Sequence, residues 1–455
     1  MSDSNAAQGS VTVGIDIGTS SVKAVAADDD GNVIRRARVP HAFSIPTPDR
    51  FQHDARVAWF DGPRAAFDAL ELEAAGIRPR AVSVAAMVPS LTAVDDDELP
   101  IAPGLLYGDD RGRGNEEGPF SERGELGRFL GWLAHEYPAA AGFRTAQSVA
   151  NAALTGEPVL ATNAAAACWP LFDFFSGGWS EEHVRDAGAR VEQMPTLVPS
   201  GTAAGEVPGH PGCVLEAGTI DAVGEQIVAG AVEPGDVLVI CGTTLIVWQV
   251  VDEALEIPGY FPIPHTTPGR FLIGGPSNAG GLFLNWAASL LADGGDGGDA
   301  GELDLTNVPL WVPYPRGERV PINDPTRRAE LHGLDLTHSA RSLRRAALEA
   351  AGFVTRRLID VTPTPARRIV ATGGGVAVSD WLDALATCTG LPVDVVAVPE
   401  GGALGAAFGA RLAAGLETSL ADGTRWARVA RTVDPDAAAL GPVAERYARW
   451  KVVAG

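Results

Sequence analysis

Residues 14–23, GIDIGTSSVK, place a carboxylate, a glycine and three hydroxyls between two apolar runs and end on a lysine. Asp16 closes the first run, Gly18 opens the turn, and Thr19, Ser20 and Ser21 follow. A turn of this kind can aim successive backbone N–H groups at one point and form an anion nest without a helix. In that reading the amides and the three hydroxyls surround phosphate oxygens. Lys23 adds a point charge to them, and Asp16 holds Mg2+ through water. Taken alone, the stretch reads equally as an ordinary hairpin. Among 35 Lys and Arg, only Lys23 and Lys451 are lysines, so a chain built on arginine keeps a lysine beside this turn. No G-x-x-x-x-G-K-[ST] occurs, which excludes a P-loop.

Two later stretches repeat the design. VLVICGTTLIVWQVV, residues 237–251, is an apolar strand, a turn of Gly242, Thr243 and Thr244, and a second apolar strand. It carries the same two readings, hairpin or phosphate contact. TGGGVAVSDW brings Gly373, Gly374 and Gly375 after a third apolar strand. Three glycines leave room for a flat ring against the backbone, or simply for close approach of strand and helix. Three such turns in this order are harder to obtain by accident than any one.

The elements that must position these residues are legible in outline. The first hundred residues read strand, strand, strand, helix, strand, with AVSVAA at 81–86 as the fourth strand and a helix over 54–76 broken near Gly62-Pro63. That order predicts a mixed sheet with flanking helices. TIDAVGEQIVAGAV reads as a helix opened by Asp221, where a carboxylate suits the helix dipole. Residues 339–361 read as an amphipathic helix with arginines on its outer face. The Asp-Gly repeats near 293–299 match no EF-hand spacing and read as a solvated linker. Two glycine hairpins in separate halves predict a duplicated architecture with a cleft between the halves.

Composition bounds the function classes. At 455 residues the chain predicts two to three domains of about 150 residues each. No apolar run is long enough to span a membrane, and MSDSNAAQGS lacks a basic and apolar leader, so no membrane partner and a cytoplasmic location are expected. Four scattered cysteines fit reduced thiols. A formal charge of −22 argues against a nucleic-acid partner. Eight histidines without an H-E-x-x-H pair argue against a protein-built transition-metal site.

With these motifs in hand, the chain resembles the FGGY carbohydrate kinase family, which includes xylulokinase and glycerol kinase. The likeness runs from Val11 to about Gly415. It rests on GIDIGTSSVKAV, TIDAVGEQIVAGAVEPGD, GTTLIV, the long PYPRGERVPINDPTRRAELHGLDLTHSARSLRRAALEAAGF, and TGGGVAVSDWLDALATCTGLPV followed by PEGGALGAAFGA. The resemblance implies an α/β, two-lobed actin-like ATPase (ribonuclease H-like) fold with an interlobe cleft. The lobes are expected over 11–232 and 233–455. It implies ATP and Mg2+ as cofactors and a small carbohydrate, a ketose or polyol, as acceptor; a homodimer stays open beside a monomer. Asp221 falls at the family's catalytic base, where a carboxylate accepts the acceptor proton and orients its oxygen. The sugar side would involve Met87, Val88, Asp221 and one of Asp109 and Asp110. Here the chain departs from the family's pattern: AAMVPS stands where xylulokinases carry Gln-Met-His, with Pro89 in place of the histidine, and LYGDDRGRG stands for their Trp-Asn-Asp. The competing expectations are an actin-like ATPase that moves a partner, and a kinase-fold binding protein without turnover.

Overall fold

The computed structural model describes residues 10–112, 124–291 and 303–455. The Asp-Gly repeats lie outside the described residues. The chain forms two compact units, one of residues 1–228 with 400–426 and one of residues 229–399 with 427–455. The division follows space and not chain order, because 400–426 joins the first unit instead of the second lobe expected from sequence.

The first unit is built on six strands: β1 (Ser10–Ile17), β2 (Ser21–Ala27), β3 (Val33–Pro40), β4 (Arg78–Ala86), β5 (Ala203–Glu206) and β6 (Val214–Ile220). Their order is β5-β6-β4-β1-β2-β3. β1, β2 and β3 form an antiparallel meander, whereas β1, β4 and β6 run parallel. β1 is buried on both faces, which is why it reads as a near-continuous apolar run. The expected helix over 54–76 is shorter: a π-helical stretch Arg56–Asp61 passes into an α-helix Gly62–Asp68 at the Gly-Pro step, and turns follow. A small five-stranded sheet takes Phe43–Ser44 and Gln52–His53 from before β4 and Ser90–Val94, Gly104–Leu106 and Gly142–Arg144 from after it, and a second core forms around Phe129, Leu130, Leu133 and Phe143.

The second unit repeats the topology. Its strands are β7 (Asp236–Cys241), β8 (Leu245–Val251), β9 (Phe261–Pro264), β10 (Phe271–Ser277), β11 (Arg368–Thr372), β12 (Val393–Val396) and β13 (Val429–Val433), in the order β9-β10-β8-β7-β11-β12-β13. Again antiparallel strands lead into parallel ones, here β7, β11 and β12, with an antiparallel strand at the edge, but β10 pairs with β8 and β9 lies outside it. The helix Ala340–Ile359 is capped by Ser339. Its arginines depart from the expected outer face. Arg341 and Arg344 are exposed, but Arg345 pairs with Glu349 at 2.7 Å, and Arg356 and Arg357 stack on Tyr447 and Trp450, each 4.4 Å from the ring centre. The guanidinium heads themselves lie over the rings, a cation–π contact that draws them onto the core.

The helix Gly401–Ala413 closes the first unit. It packs on the face of the sheet that carries Thr12, Gly14 and Asp16. A Cβ at Gly14 would lie 1.8 Å from Ala403 O, so strand and helix backbones touch directly. The same helix meets the helix Asp221–Ala229, where a Cβ at Gly405 would lie 1.8 Å from Gly224 O and one at Gly224 2.7 Å from Gly402 O. Beyond it, Arg411 pairs with Asp29 at 2.6 Å and Trp426 packs over Gly31, tying the segment to the β2–β3 turn.

Gly14→Ala forces these backbones apart and should cost about 2 kcal/mol or more in urea unfolding. Gly441→Ala, at a helical position with open space, should be neutral or slightly stabilising.

Candidate active site

Register places the candidate residues before any side chain is considered. Ile17 of β1, Ala86 of β4 and Ile220 of β6 stand level across the three parallel strands. The residues that follow are Gly18–Thr19, Met87–Val88 and Asp221. All three predicted motifs of this unit therefore leave the carboxyl ends of one parallel trio, the usual ligand edge of such sheets. Asp16 and Thr219 lie in one row two strands apart, about 10 Å at the usual strand spacing.

The first turn is braced from behind. Gly18 N bonds Ser21 O at 3.1 Å, and His41 N bonds Ser20 O at 3.0 Å. The Thr19 hydroxyl lies 3.0 Å from the Tyr107 hydroxyl, and Thr19 O lies 2.8 Å from His53 Nε2. Trp59 donates its indole N–H to His53 Nδ1 at 2.9 Å. An indole N–H cannot accept, so the histidine proton is on Nε2 and is donated to Thr19 O. Burial, with the neighbouring His41 adding to it, pushes the His53 pKa down to about 4. His53 is thus a neutral strut under the turn. Ser20 stays exposed, while Ser21 is buried with its hydroxyl accepting from Arg38 Nε at 3.1 Å.

Asp16 lies opposite Lys23 in the ladder, Oδ2 to Nζ 3.7 Å. Burial raises its pKa, and Lys23 counteracts. The amino end of the Gly401–Ala413 helix sits over this carboxylate, because a Cβ at Gly402 would come within 3.2 Å of Asp16 Cγ. That end of a helix favours negative charge.

On the β4–β6 side Met87 is buried and Val88 half-buried. Gln147, itself buried, donates through Nε2 to Ala86 O at 3.2 Å and Thr219 O at 3.3 Å, clamping the ends of β4 and β6. Asp221 is the first residue of its helix, half-buried, with Oδ1 accepting from Ala222 N at 2.7 Å. The two carboxylates expected on the sugar side separate clearly. Asp109 is fully buried and accepts from Phe51 N (2.7 Å), Arg111 N (3.0 Å), Arg111 Nε (2.8 Å) and Arg111 NH2 (2.6 Å). Asp110 is half-exposed, 3.9 Å from Arg50.

In the second unit the Gly242–Thr244 turn is fixed by the helix Gly281–Leu290, whose first amides, Gly281 N and Leu282 N, bond Gly242 O (2.9 Å) and Thr243 O (3.0 Å). Thr243 and Thr244 are half-buried. In the third turn Gly373 has φ +86°, and a Cβ at Gly375 would strike the Trp381 ring at 2.3 Å, so both serve packing. Gly374 alone faces open space.

Comparison with known proteins decides what this duplicated arrangement belongs to. Residues 11–117 match the N-terminal domain, and residues 237–414 the C-terminal domain, of the FGGY family of carbohydrate kinases. The chain belongs to the FGGY family of carbohydrate kinases. Its relatives include a gluconokinase of Bacillus subtilis, 25% identical over 82% of this chain and 81% of the relative, and a xylulose kinase of Escherichia coli, 26% identical over 90% and 91%. The crystal structure of xylulose kinase from Rhodospirillum rubrum superimposes with a TM-score of 0.78 at 25% identity, covering 97% of this chain and 98% of that one. The fold is the two-lobed actin-like one, and the protein is a carbohydrate kinase.

Within this FGGY member, sequence reasoning did not single out His53, Trp59, Tyr107, Gln147 or Arg38. Their contacts span up to 88 positions, as between Thr19 and Tyr107, and no local spacing announces them. Asp109→Asn weakens the acceptor for a buried guanidinium and should cost about 3 kcal/mol or more. Asp110→Asn should stay within about 0.5 kcal/mol of wild type in the same denaturation series.

Proposed function

We propose that the protein transfers the γ-phosphoryl group of ATP to a hydroxyl of a small carbohydrate, a ketose such as a pentulose or a polyol, with Asp221 as general base. The observation that carries this reading is the shared edge. The Gly18–Ser20 turn, the Asp16–Lys23 pair and Asp221 all leave the level carboxyl ends of β1, β4 and β6 or flank them. An acceptor hydroxyl beside Asp221 gives its proton to a fixed carboxylate as its oxygen moves onto phosphorus, and the leaving ADP departs on the far side. Catalysis in such a transfer is mostly positioning and charge stabilisation. The turn amides, Thr19 and Lys23 take the phosphate oxygens in our reading; for the second unit taken by itself, the turn of Gly242, Thr243 and Thr244 is proposed as a phosphate contact.

Asp16 suits Mg2+. A single hard oxygen donor, at a place where Gly402 keeps any side chain off the carboxylate, matches an ion held through its water shell. Magnesium, when bound, neutralises phosphate charge. Lys23 then turns from Asp16 to the phosphates. Gly374 is the open position against which the adenine would lie. On the acceptor side Asp110 is the better candidate to meet a sugar hydroxyl, because both oxygens of Asp109 are taken by protein donors. The sugar-side run AAMVPS and the mixture of gluconokinase and xylulose kinase among the relatives keep the acceptor class broad.

A screen of ketoses, aldoses, sugar acids and polyols for acceptor-dependent ADP release tests the reading, and xylulose, gluconate and glycerol belong in it. With the acceptor it finds, Asp221→Asn should lower kcat by about 10²–10⁴. Stabilisation of the fold by ATP should be unchanged. Turnover near wild type in that variant removes Asp221 from the role, and release of ADP with no acceptor dependence removes the transfer itself.

A further inference from the structure

One row of the first sheet holds three charges. Asp16 of β1 stands opposite Lys23 of β2, and Lys23 opposite Arg38 of β3. Residues directly opposite in a ladder point to the same face, so carboxylate, ammonium and guanidinium follow one another from the sheet interior to its edge. Asp16 is paired with Lys23. Among the described residues no carboxylate forms an ion pair with Arg38, and its hydrogen bond goes from Nε to Ser21 Oγ at 3.1 Å. Ser21 lies one step toward the turn from Lys23 on that face, so this bond draws the guanidinium toward Gly18–Ser20.

Ordinary edge-strand solvation explains the neighbouring arginines but not this one. Arg35, Arg36 and Arg38 are all exposed; Arg35 and Arg36 stand opposite Ala26 and Val25, which suits a charged edge that resists pairing with other chains. Arg38 alone faces a cation, and like charges directly opposite destabilise a sheet. It is also tied to a buried hydroxyl of the inner strand, which fixes its place beside the turn.

We propose that Arg38 is a second cation of the phosphate site, bracketing with Lys23 the terminal phosphates of a nucleoside triphosphate seated on the Gly18–Ser20 turn. The bound anion relieves the repulsion between the two cations. A guanidinium adds what an ammonium lacks, a planar fork of donors matched to two phosphate oxygens. The inference rests on the proposed ATP-dependent transfer.

Arg38→Ala and Arg38→Lys are compared with wild type in steady-state kinetics and in calorimetric binding of ATP and adenosine. Arg38→Ala should raise the KM and the Kd for ATP about tenfold, the range of one charge-assisted hydrogen bond. The acceptor KM and adenosine binding should stay within about twofold, and the thermal midpoint without nucleotide should hold or rise as repulsion is lifted. Arg38→Lys, with charge but no fork, should fall between. ATP affinity within twofold of wild type in Arg38→Ala overturns the assignment, and so does equal weakening of ATP, adenosine and acceptor, which marks a structural role. If wild type transfers phosphate to no acceptor, the functional reading fails on its own account. The calorimetric comparison still decides Arg38: a selective loss of ATP affinity upholds it, and no loss overturns it.

Discussion

Direct backbone contact at glycine is the constraint on which the first unit depends. The Gly401–Ala413 helix lies against β1 at Gly14 and against the Asp221–Ala229 helix at Gly224, Gly402 and Gly405. Helices on sheets ordinarily stand off by a layer of side chains, so this helix sits closer than side chains would allow. The consequence is chemical. Its amino end comes down onto Asp16 while its flank holds the helix that begins at Asp221. One element therefore sets the height of both carboxylates over the edge of β1, β4 and β6. The run PEGGALGAAFGA, one of the stretches that carry the family resemblance, acts in this unit as a packing motif.

Around that scaffold the polar groups divide into those the protein consumes and those it leaves accessible. Asp109, His53, Gln147 and Ser21 are buried and spend their hydrogen bonds on backbone or on neighbouring side chains. Ser20, Asp110 and Asp221 keep exposed or half-exposed side chains. The buried set is expensive to disturb because an unpaired polar group in the interior keeps its full desolvation cost. Rigid inner groups supporting a more open rim are what a site that works by positioning needs. A histidine held neutral, with its proton fixed on Nε2, gives the turn a support that does not change with pH near neutrality.

The strand-turn-strand units were legible in the sequence because their signals are local. β1 and β2 flank a turn that Gly18 and its hydroxyls announce, and β11 is the apolar strand read before Gly373–Gly375. The helix opened by Asp221 was legible for the same reason. What stayed hidden is non-local. The return of 400–426 to the first unit depends on Gly14 and Gly224, hundreds of positions away. The choice between Asp109 and Asp110 depends on Phe51 and Arg111, and adjacency in sequence says nothing of which carboxylate they enclose. Arginine on the Ala340–Ile359 helix misled because charge was equated with solvent, whereas Arg356 and Arg357 cap aromatic core residues.

Duplication of the topology did not duplicate the means of holding its turns. The first hairpin turn is supported by side chains from the same unit, His53 beneath Thr19 O and Tyr107 beside its hydroxyl. The second is supported by the first amides of a following helix, which spend their N–H groups on Gly242 O and Thr243 O. A helix amino end used in this way no longer offers those amides to an anion. At the first turn the side-chain supports sit on the carbonyl side, away from the row of Lys23 and Arg38. The two halves thus share a central strand arrangement but differ in chemistry: Lys23 and Arg38 lie beside the first turn, and the second is made of Gly242, Thr243 and Thr244.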